Sequence, residues 1–408
     1  MTGELPRWSR ILLVLLAIAM AAVLLVQGIG RWAFNRGIPT VLEMSGSQDA
    51  DGYAKQGQRL FELGQYKVAE QYARTALKRS PMHQKALRTL GMAQVAQGKE
   101  AEGRRTMQAA GRLGWQDVAT QTWLMWDALQ LGQPGAALLR ADALARRGTM
   151  ATGLFKVFVT FGSEPRTRAL LLRRLEKASE WRPDFFRFST AATLAEAETA
   201  ERLLRELKRG SAPPAREEVV PIVRRLAALG AFERAANLSS DLLGEPRANA
   251  ADAIGDGDFK RFDIYGDRAV YRTPFDWEFG TTPGATAVVE QPDQPGDGAL
   301  YVEANGARKA MLANKVVRIP PGPHLLSFTI RSPEKKALAR FQWTVTCLSN
   351  GQQLLGDVTG FEISNQPTRR SLPFTVPAGC PFQQLQLAAL EAPERQAVSA
   401  YFDDVAVR

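Results

Sequence analysis

Apolar and polar positions fall into three successive textures along the chain. The first is an unbroken apolar run over residues 11–26, ILLVLLAIAMAAVLLV, with no charged or polar side chain. As a helix it approaches the length of the hydrocarbon core, and Gln27–Gly30 complete the span. Trp8 and Trp32 bracket it. At helical rise they lie about 36 Å apart, the separation of two interfacial aromatic belts. A cleaved signal peptide is the competing reading. Its apolar core usually runs only about 7–15 residues, and no small-x-small site stands at Val26-Gln27-Gly28-Ile29-Gly30. Residues 1–36 therefore read as one uncleaved membrane anchor, and 37–49 as an aperiodic linker. Arg7 and Arg10 before the run balance Arg31 and Arg36 after it, so charge leaves the orientation open. The short head and its α-amino group place Met1 inside and residue 37 onward outside.

The second texture is helical and spans 50–250. In DGYAKQGQRLFELGQYKVAEQYARTALKRSP, small residues recur at Gly57, Gly64, Ala69 and Ala76, with Tyr53, Leu60, Tyr66 and Leu77 filling the seam. The glycines return 34 residues later as Gly91 and Gly98, Ala76 returns as Ala110, and Gly98 steps on to Gly132. A unit over 152–185 has Leu171, Leu175 and Ala178 as its stripe and Pro183 as its stop. Phe185–Arg209 reads as helix, and 216–249 as a last hairpin with Gly230, Phe232 and Ala235 in the places of Gly64, Tyr66 and Ala69. This pattern is similar to the tetratricopeptide repeat, whose period is about 34 residues. Stacked hairpins of that kind bury their apolar sides only against one another, and their concave face holds a protein partner.

Residues 251–257 are a linker, and the third texture follows over 258–408. Apolar residues alternate with period two in Leu300-Tyr301-Val302, Leu325–Ile330 and Phe341–Val345. Turns at Pro283-Gly284, Gly296-Asp297-Gly298, Pro320-Pro321-Gly322 and Asn350-Gly351 punctuate them. Short strands with such turns predict an antiparallel β-sandwich or jelly roll. The order Pro274–Phe279, Ala299–Val302, Pro323–Phe328 and a terminal Tyr401-Phe402-Asp403-Asp404-Val405 resembles the galactose-binding-like jelly roll of carbohydrate-binding modules. That resemblance implies a polysaccharide ligand and a structural calcium held near the last strand. Anchor, helical repeat and jelly roll together resemble envelope proteins associated with bacterial exopolysaccharide or capsule production. This layout implies an inner-membrane protein with its bulk in the periplasm.

Composition narrows the chemistry. The chain of 408 residues carries a net charge of +10, with basic residues dispersed rather than gathered in a tail. Such a balance favours acidic partners; anchoring and export argue against nucleic acid. His83 and His324 are the only histidines, and no nucleophile elbow, phosphate loop, HExxH or dinucleotide fingerprint is present. A non-enzymatic role without a catalytic cofactor is the expectation. Asp276 and Glu278 alternate on one face of a strand, and could project together. Asp403 or Asp404, with Asp258 or Asp256, are the calcium candidates. Trp277, Tyr271 and Tyr301 are the candidate sugar-binding aromatics; Trp343 reads as core, and Phe275 and Phe279 share the parity of Trp277, which makes core the safer reading there too. Trp123 and Trp126 are neighbours on one helix. Cys347 and Cys380 sit at strand–loop junctions and are expected to form one disulfide, which persists outside the cytoplasm. Two readings follow: a membrane-anchored extracytoplasmic scaffold that holds a protein partner, or a protein that takes up an envelope polysaccharide through its sandwich.

Overall fold

The computed structural model describes residues 49–148, 152–177, 180–188, 192–244, 253–260, 271–290, 298–335, 337–356, 361–391 and 396–408. The expected anchor over 1–36 and most of the linker after it lie outside these residues. No helix among the described residues is long and apolar enough to cross a membrane. Twelve helices precede thirteen strands among them. The chain divides into two compact units between Thr149 and Met150.

The first unit consists of three helical hairpins. Helices α1 (Ala50–Glu62) and α2 (Tyr66–Arg79) form the first, α3 (Gln84–Ala96) and α4 (Glu100–Arg112) the second, and α5 (Val118–Gln130) and α6 (Pro134–Ala145) the third. Each hairpin turns on a glycine in the left-handed region: Gly64 (φ 76°), Gly98 (φ 80°) and Gly132 (φ 65°). A side chain there would be strained, so glycine is what permits so short a reversal. The helices then approach on small residues: Ala69, Ala73 and Ala76 of α2 are fully buried. A Cβ on Gly103 would lie 2.7 Å from the Gly91 carbonyl oxygen, so α3 and α4 touch backbone to backbone.

The first helix of each hairpin starts on a side-chain cap at Asp49, His83 or Asp117, each accepting from a backbone N–H three residues on. His83 also reaches back to Asp51 of the preceding hairpin (2.7 Å). Arg88 ties all three hairpins, pairing with Asp117 and donating to Gln58 (2.9 Å).

The second unit begins with six more helices: α7 (Thr152–Ser163), α8 (Pro165–Leu175), α9 (Arg182–Arg187), α10 (Leu194–Lys208), α11 (Arg216–Ala228) and α12 (Phe232–Leu243). Pro183 does not stop a helix, as expected from sequence; it sits in the first turn of α9, where its missing N–H costs nothing. The helix expected over 185–209 is interrupted and restarts at Thr193, where Thr193 and Glu196 form a capping box. Phe158 stacks on Trp181 at 4.6 Å, with Phe185 edge-on to both. Beside this cluster Arg182 is buried against Glu218 (2.6 Å) and donates to the Leu175 carbonyl (3.0 Å).

The strands form an antiparallel sandwich in the same unit. They are β1 (Glu278–Phe279), β2 (Thr281–Thr282), β3 (Ala285–Glu290), β4 (Ala299–Ala304), β5 (Ala310–Val317), β6 (Gly322–Arg331), β7 (Ala337–Ala339), β8 (Phe341–Cys347), β9 (Gln353–Gly356), β10 (Phe361–Ile363), β11 (Thr368–Val376), β12 (Gln383–Ala389) and β13 (Val398–Val407). One sheet has five strands in the order β1-β5-β12-β8-β9, another six in the order β11-β6-β13-β4-β3-β2, and β10 pairs with β7. Trp277, Phe328, Phe341, Trp343 and Phe402 fill the core. Cys347 and Cys380 are bridged, with Cα atoms 5.6 Å apart. Near its end β13 bulges at Asp404 (φ 49°). There the Val405 N–H donates to the Gly257 carbonyl (2.9 Å). A Cβ on Gly257 would stand 1.8 Å from the Val405 oxygen, so only glycine lets the entering segment lie against the last strand.

Helices α11 and α12 are fastened to the sandwich. Arg216 donates to the Tyr271 carbonyl (2.7 Å) and pairs with Asp276 (3.1 Å). Arg224 donates to the Arg272 carbonyl (2.6 Å) and pairs with Glu278 (2.7 Å). Phe232 packs on Phe382 at 5.8 Å, and Arg318 pairs with Glu233 (3.2 Å).

Candidate functional site

Two of the three candidate sugar-binding aromatics are used internally. Trp277 is 2% exposed, and its indole N–H donates to the Asp256 carbonyl (2.8 Å). It lies 6.3 Å from Trp343 inside the sandwich, so it offers no face to a ligand. Phe275 and Phe279 share its alternation, but the segment before β1 is a turn that folds the indole inward. Tyr271 belongs to the seam with α11: its hydroxyl donates to Glu217 (3.2 Å) and its carbonyl receives Arg216. Asp276 and Glu278 do not act as a pair, because each is engaged by its own arginine, Arg216 and Arg224.

The calcium candidates lie near the bulge of β13 and the segment that enters beside it. Asp403 accepts from the Asp404 N–H (2.6 Å) at the bulge, Asp404 is exposed, and Asp258 faces Lys260 at 3.9 Å. Among the described residues no three His, Cys, Asp or Glu side chains gather as a metal site.

Tyr301 is different. It stands on the outer face of the six-stranded sheet, directly across from Tyr401 of β13, with ring centroids 5.1 Å apart. The Tyr301 hydroxyl donates to Glu303 (3.2 Å) and that of Tyr401 to Glu290 (3.1 Å). The Arg331 guanidinium lies over the Tyr401 ring at 4.4 Å. Burial, then the charge of Glu303, raises the Tyr301 pKa above its usual 10.0. Burial, then the hydrogen bond to Glu290, does the same for Tyr401. Both phenols therefore stay neutral.

The opposite sheet carries an arrangement of another kind. Register places Asn314 of β5, Gln386 of β12 and Thr344 of β8 in one row across the strands. A second row runs Val316, Gln384, Thr346 and Gln353. Gln342 and Met311 flank Ala388 in a third. These residues alternate with Leu385, Leu387, Trp343 and Val345 of the core, so they share the face turned away from it. None of them is charged, although 23% of the chain is Asp, Glu, Lys or Arg. Lys315, the one cation in β5, points inward over the Trp277 ring at 5.3 Å. Gln384 donates to Asn314 (2.9 Å), which orders the two amides. The row of Asn314 ends at Glu278 of β1, where the Arg224 pair closes it.

An amide offers two donors and an acceptor with two lone pairs, and a hydroxyl offers both roles. A lane of such groups matches the adjacent hydroxyls of a sugar, each a donor and an acceptor. It has no group with a titration suited to acid–base chemistry near neutral pH. Four strands, β5, β12, β8 and β9, about 4.8 Å apart make it roughly 14 Å long. The lane was missed in the sequence, as was Tyr401. The alternation FQWTVT and FQQLQL contains its signal, but which strands lie side by side does not show there.

No family model matches this chain, and no curated protein does. Among solved structures it is similar to a family 4 carbohydrate-binding module, with 16% identity over 38% of this chain and 97% of that one, at a TM-score of 0.27. It is similar to the CBM22-1 xylan-binding domain from Paenibacillus barcinonensis, with 14% identity over 32% of this chain and 84% of that one, at 0.25. It is also similar to a family 61 module in complex with β-1,4-galactotriose, with 10% identity over 38% of this chain and 97% of that one, at 0.26.

Proposed function

We propose that this protein is a non-enzymatic glycan-binding protein of the bacterial envelope, which grips a neutral polysaccharide along the uncharged lane of its five-stranded sheet. The lane itself carries the reading. The outer face of a sheet is ordinarily laced with charge; this one carries half-buried Asn314, Gln386, Gln384, Thr344 and Thr346 instead, with Gln342 buried beside them. Uncharged amides suit a ligand that brings many hydroxyls and no charge, and they lose less on desolvation than ions do. The reading calls for no cofactor.

The helical hairpins are read as tetratricopeptide-like and as the arm that meets a protein partner. Exposed Tyr66, Val68, Trp126 and Leu139 on the first unit favour this. The apolar run over 11–26 supports a single-pass anchor, and the Cys347–Cys380 bridge supports placement outside the cytoplasm. An alkaline phosphatase fusion after Gly46 is expected to be active; an inactive fusion there would refute the topology. Pull-down from solubilised membranes is expected to bring a stoichiometric partner, which truncation of 50–148 removes.

The glycan reading is tested by affinity electrophoresis of the full-length chain through gels holding xylan, galactan or mixed-linkage β-glucan. Retardation by at least one of them is expected, and Asn314→Ala with Gln386→Ala should relieve it. Unretarded wild-type protein in all three gels would count against the proposal.

A further inference from the structure

We infer that the outer face of the six-stranded sheet is a second glycan-binding surface, built on the Tyr301–Tyr401 pair. Because the two outer faces of a sandwich point in opposite directions, one chain would then hold two glycan strands at once and bridge them. The inference rests on the reading of the amide lane as a glycan site, since it adds a second site to the first.

Four observations carry it. First, Val288, Tyr301, Tyr401 and Arg331 stand in one row across β3, β4, β13 and β6. Val288 is exposed and both rings are half-buried, so an apolar strip faces outward on a sheet whose core face is already filled. Second, the rings are held in place. Each hydroxyl is anchored to a glutamate, and Arg331 lies over Tyr401, so little freedom is lost when a ligand settles on them.

Third, Glu290 and Glu303 each accept from a tyrosine and keep lone pairs for further donors. Carboxylate acceptors beside an aromatic surface fit a pyranose, whose C–H face stacks while its hydroxyls donate at the rim. Fourth, Glu290, Glu303 and Asp403 put three carboxylates on this face, two of them beside the rings. Glu290 and Glu303 flank the rings against the single cation Arg331, so the balance beside the rings is negative and the ligand class is a neutral pyranose chain.

The test is isothermal titration of the full-length protein in detergent with oligosaccharides of xylan, galactan and mixed-linkage β-glucan. Two sites per chain are expected for the wild type with a glycan that binds. Tyr301→Ala with Tyr401→Ala should leave one site of unchanged affinity, and Asn314→Ala with Gln386→Ala should leave the other. Tyr401→Phe keeps the ring and should weaken the second site by less than about tenfold; its melting curve, with that of the alanine variant, shows that the sandwich still folds. A single wild-type site that is lost with the lane variant and unmoved by the tyrosine variant would overturn the second surface and leave the lane standing. Absence of binding by every oligosaccharide would overturn both.

Discussion

Arg182 is the residue whose environment is most sharply defined. Its guanidinium is 8% exposed and Glu218 only 2%, and the pair bridges α9 to α11 beside the Phe158–Trp181 stack. Two charges withdrawn from water are tolerated because they satisfy one another and because Arg182 also donates to the Leu175 and Ala212 carbonyls. Removing one partner leaves the other charge buried alone. Glu218→Gln should therefore destabilise the second unit by about 3–5 kcal/mol, read as a lower denaturant midpoint. Replacing both residues with apolar ones of similar size should cost much less. Equal losses for the single and double variants would show that packing, not charge, governs the site. At the same scale, the parity Trp277 shares with Phe275 and Phe279 already favours core over a sugar platform, and the indole is buried. Alternation identifies a side of a strand, but only two residues of the PFDWEF segment are strand, and the turn before them sets the indole's direction.

Among the elements, the hairpins of the first unit were the most legible. Gly64, Gly98 and Gly132 mark reversals that demand a left-handed backbone, and that demand repeats every 34 residues whatever the surrounding surface does. The caps at Asp49, His83 and Asp117 keep the same period, and His83 stands where its neighbours have aspartate. Less visible is the cluster on Glu70 of α2. Burial raises its pKa, but hydrogen bonds from Arg74, Gln97 and Lys99 outweigh that, and the net shift is below the usual 4.5. A lowered carboxyl pKa contributes stability that is fully present above the unfolded value. It is lost as pH falls from about 4.5 through the folded value. Glu70→Gln should flatten the acid limb of the first unit's stability curve. An unchanged acid limb would contradict the assignment. In the sandwich the strings FQWTVT and FQQLQL announced strands, but β12 pairs with β5 across more than sixty residues of chain, so the amide lane existed only once the sheet was assembled.

For the whole molecule, the second unit couples helices and sheets through arginines. Arg216 and Arg224 reach from α11 to Asp276 and Glu278, so the edge of the five-stranded sheet is held by a helix. The bridge at Cys347 closes a loop of 33 residues next to that sheet. Chain-entropy arithmetic puts its contribution at ~3–4 kcal/mol. Cys347→Ser with Cys380→Ser should lower the melting temperature of the sandwich to match, and an unchanged midpoint would mean that the loop is already ordered without the bond. Direct titration shows whether the amide lane binds a neutral glycan. The full-length chain is titrated with soluble xylan, galactan and mixed-linkage β-glucan, beside Asn314→Ala and Gln386→Ala. Each lost hydrogen bond is worth about 0.5–1.5 kcal/mol, so each variant should bind a retained glycan about 2- to 12-fold more weakly; Gln386→Ala should leave the melting temperature unchanged, and Asn314→Ala should lower it slightly by removing the bond from Gln384. Wild-type affinity in both variants would contradict the account.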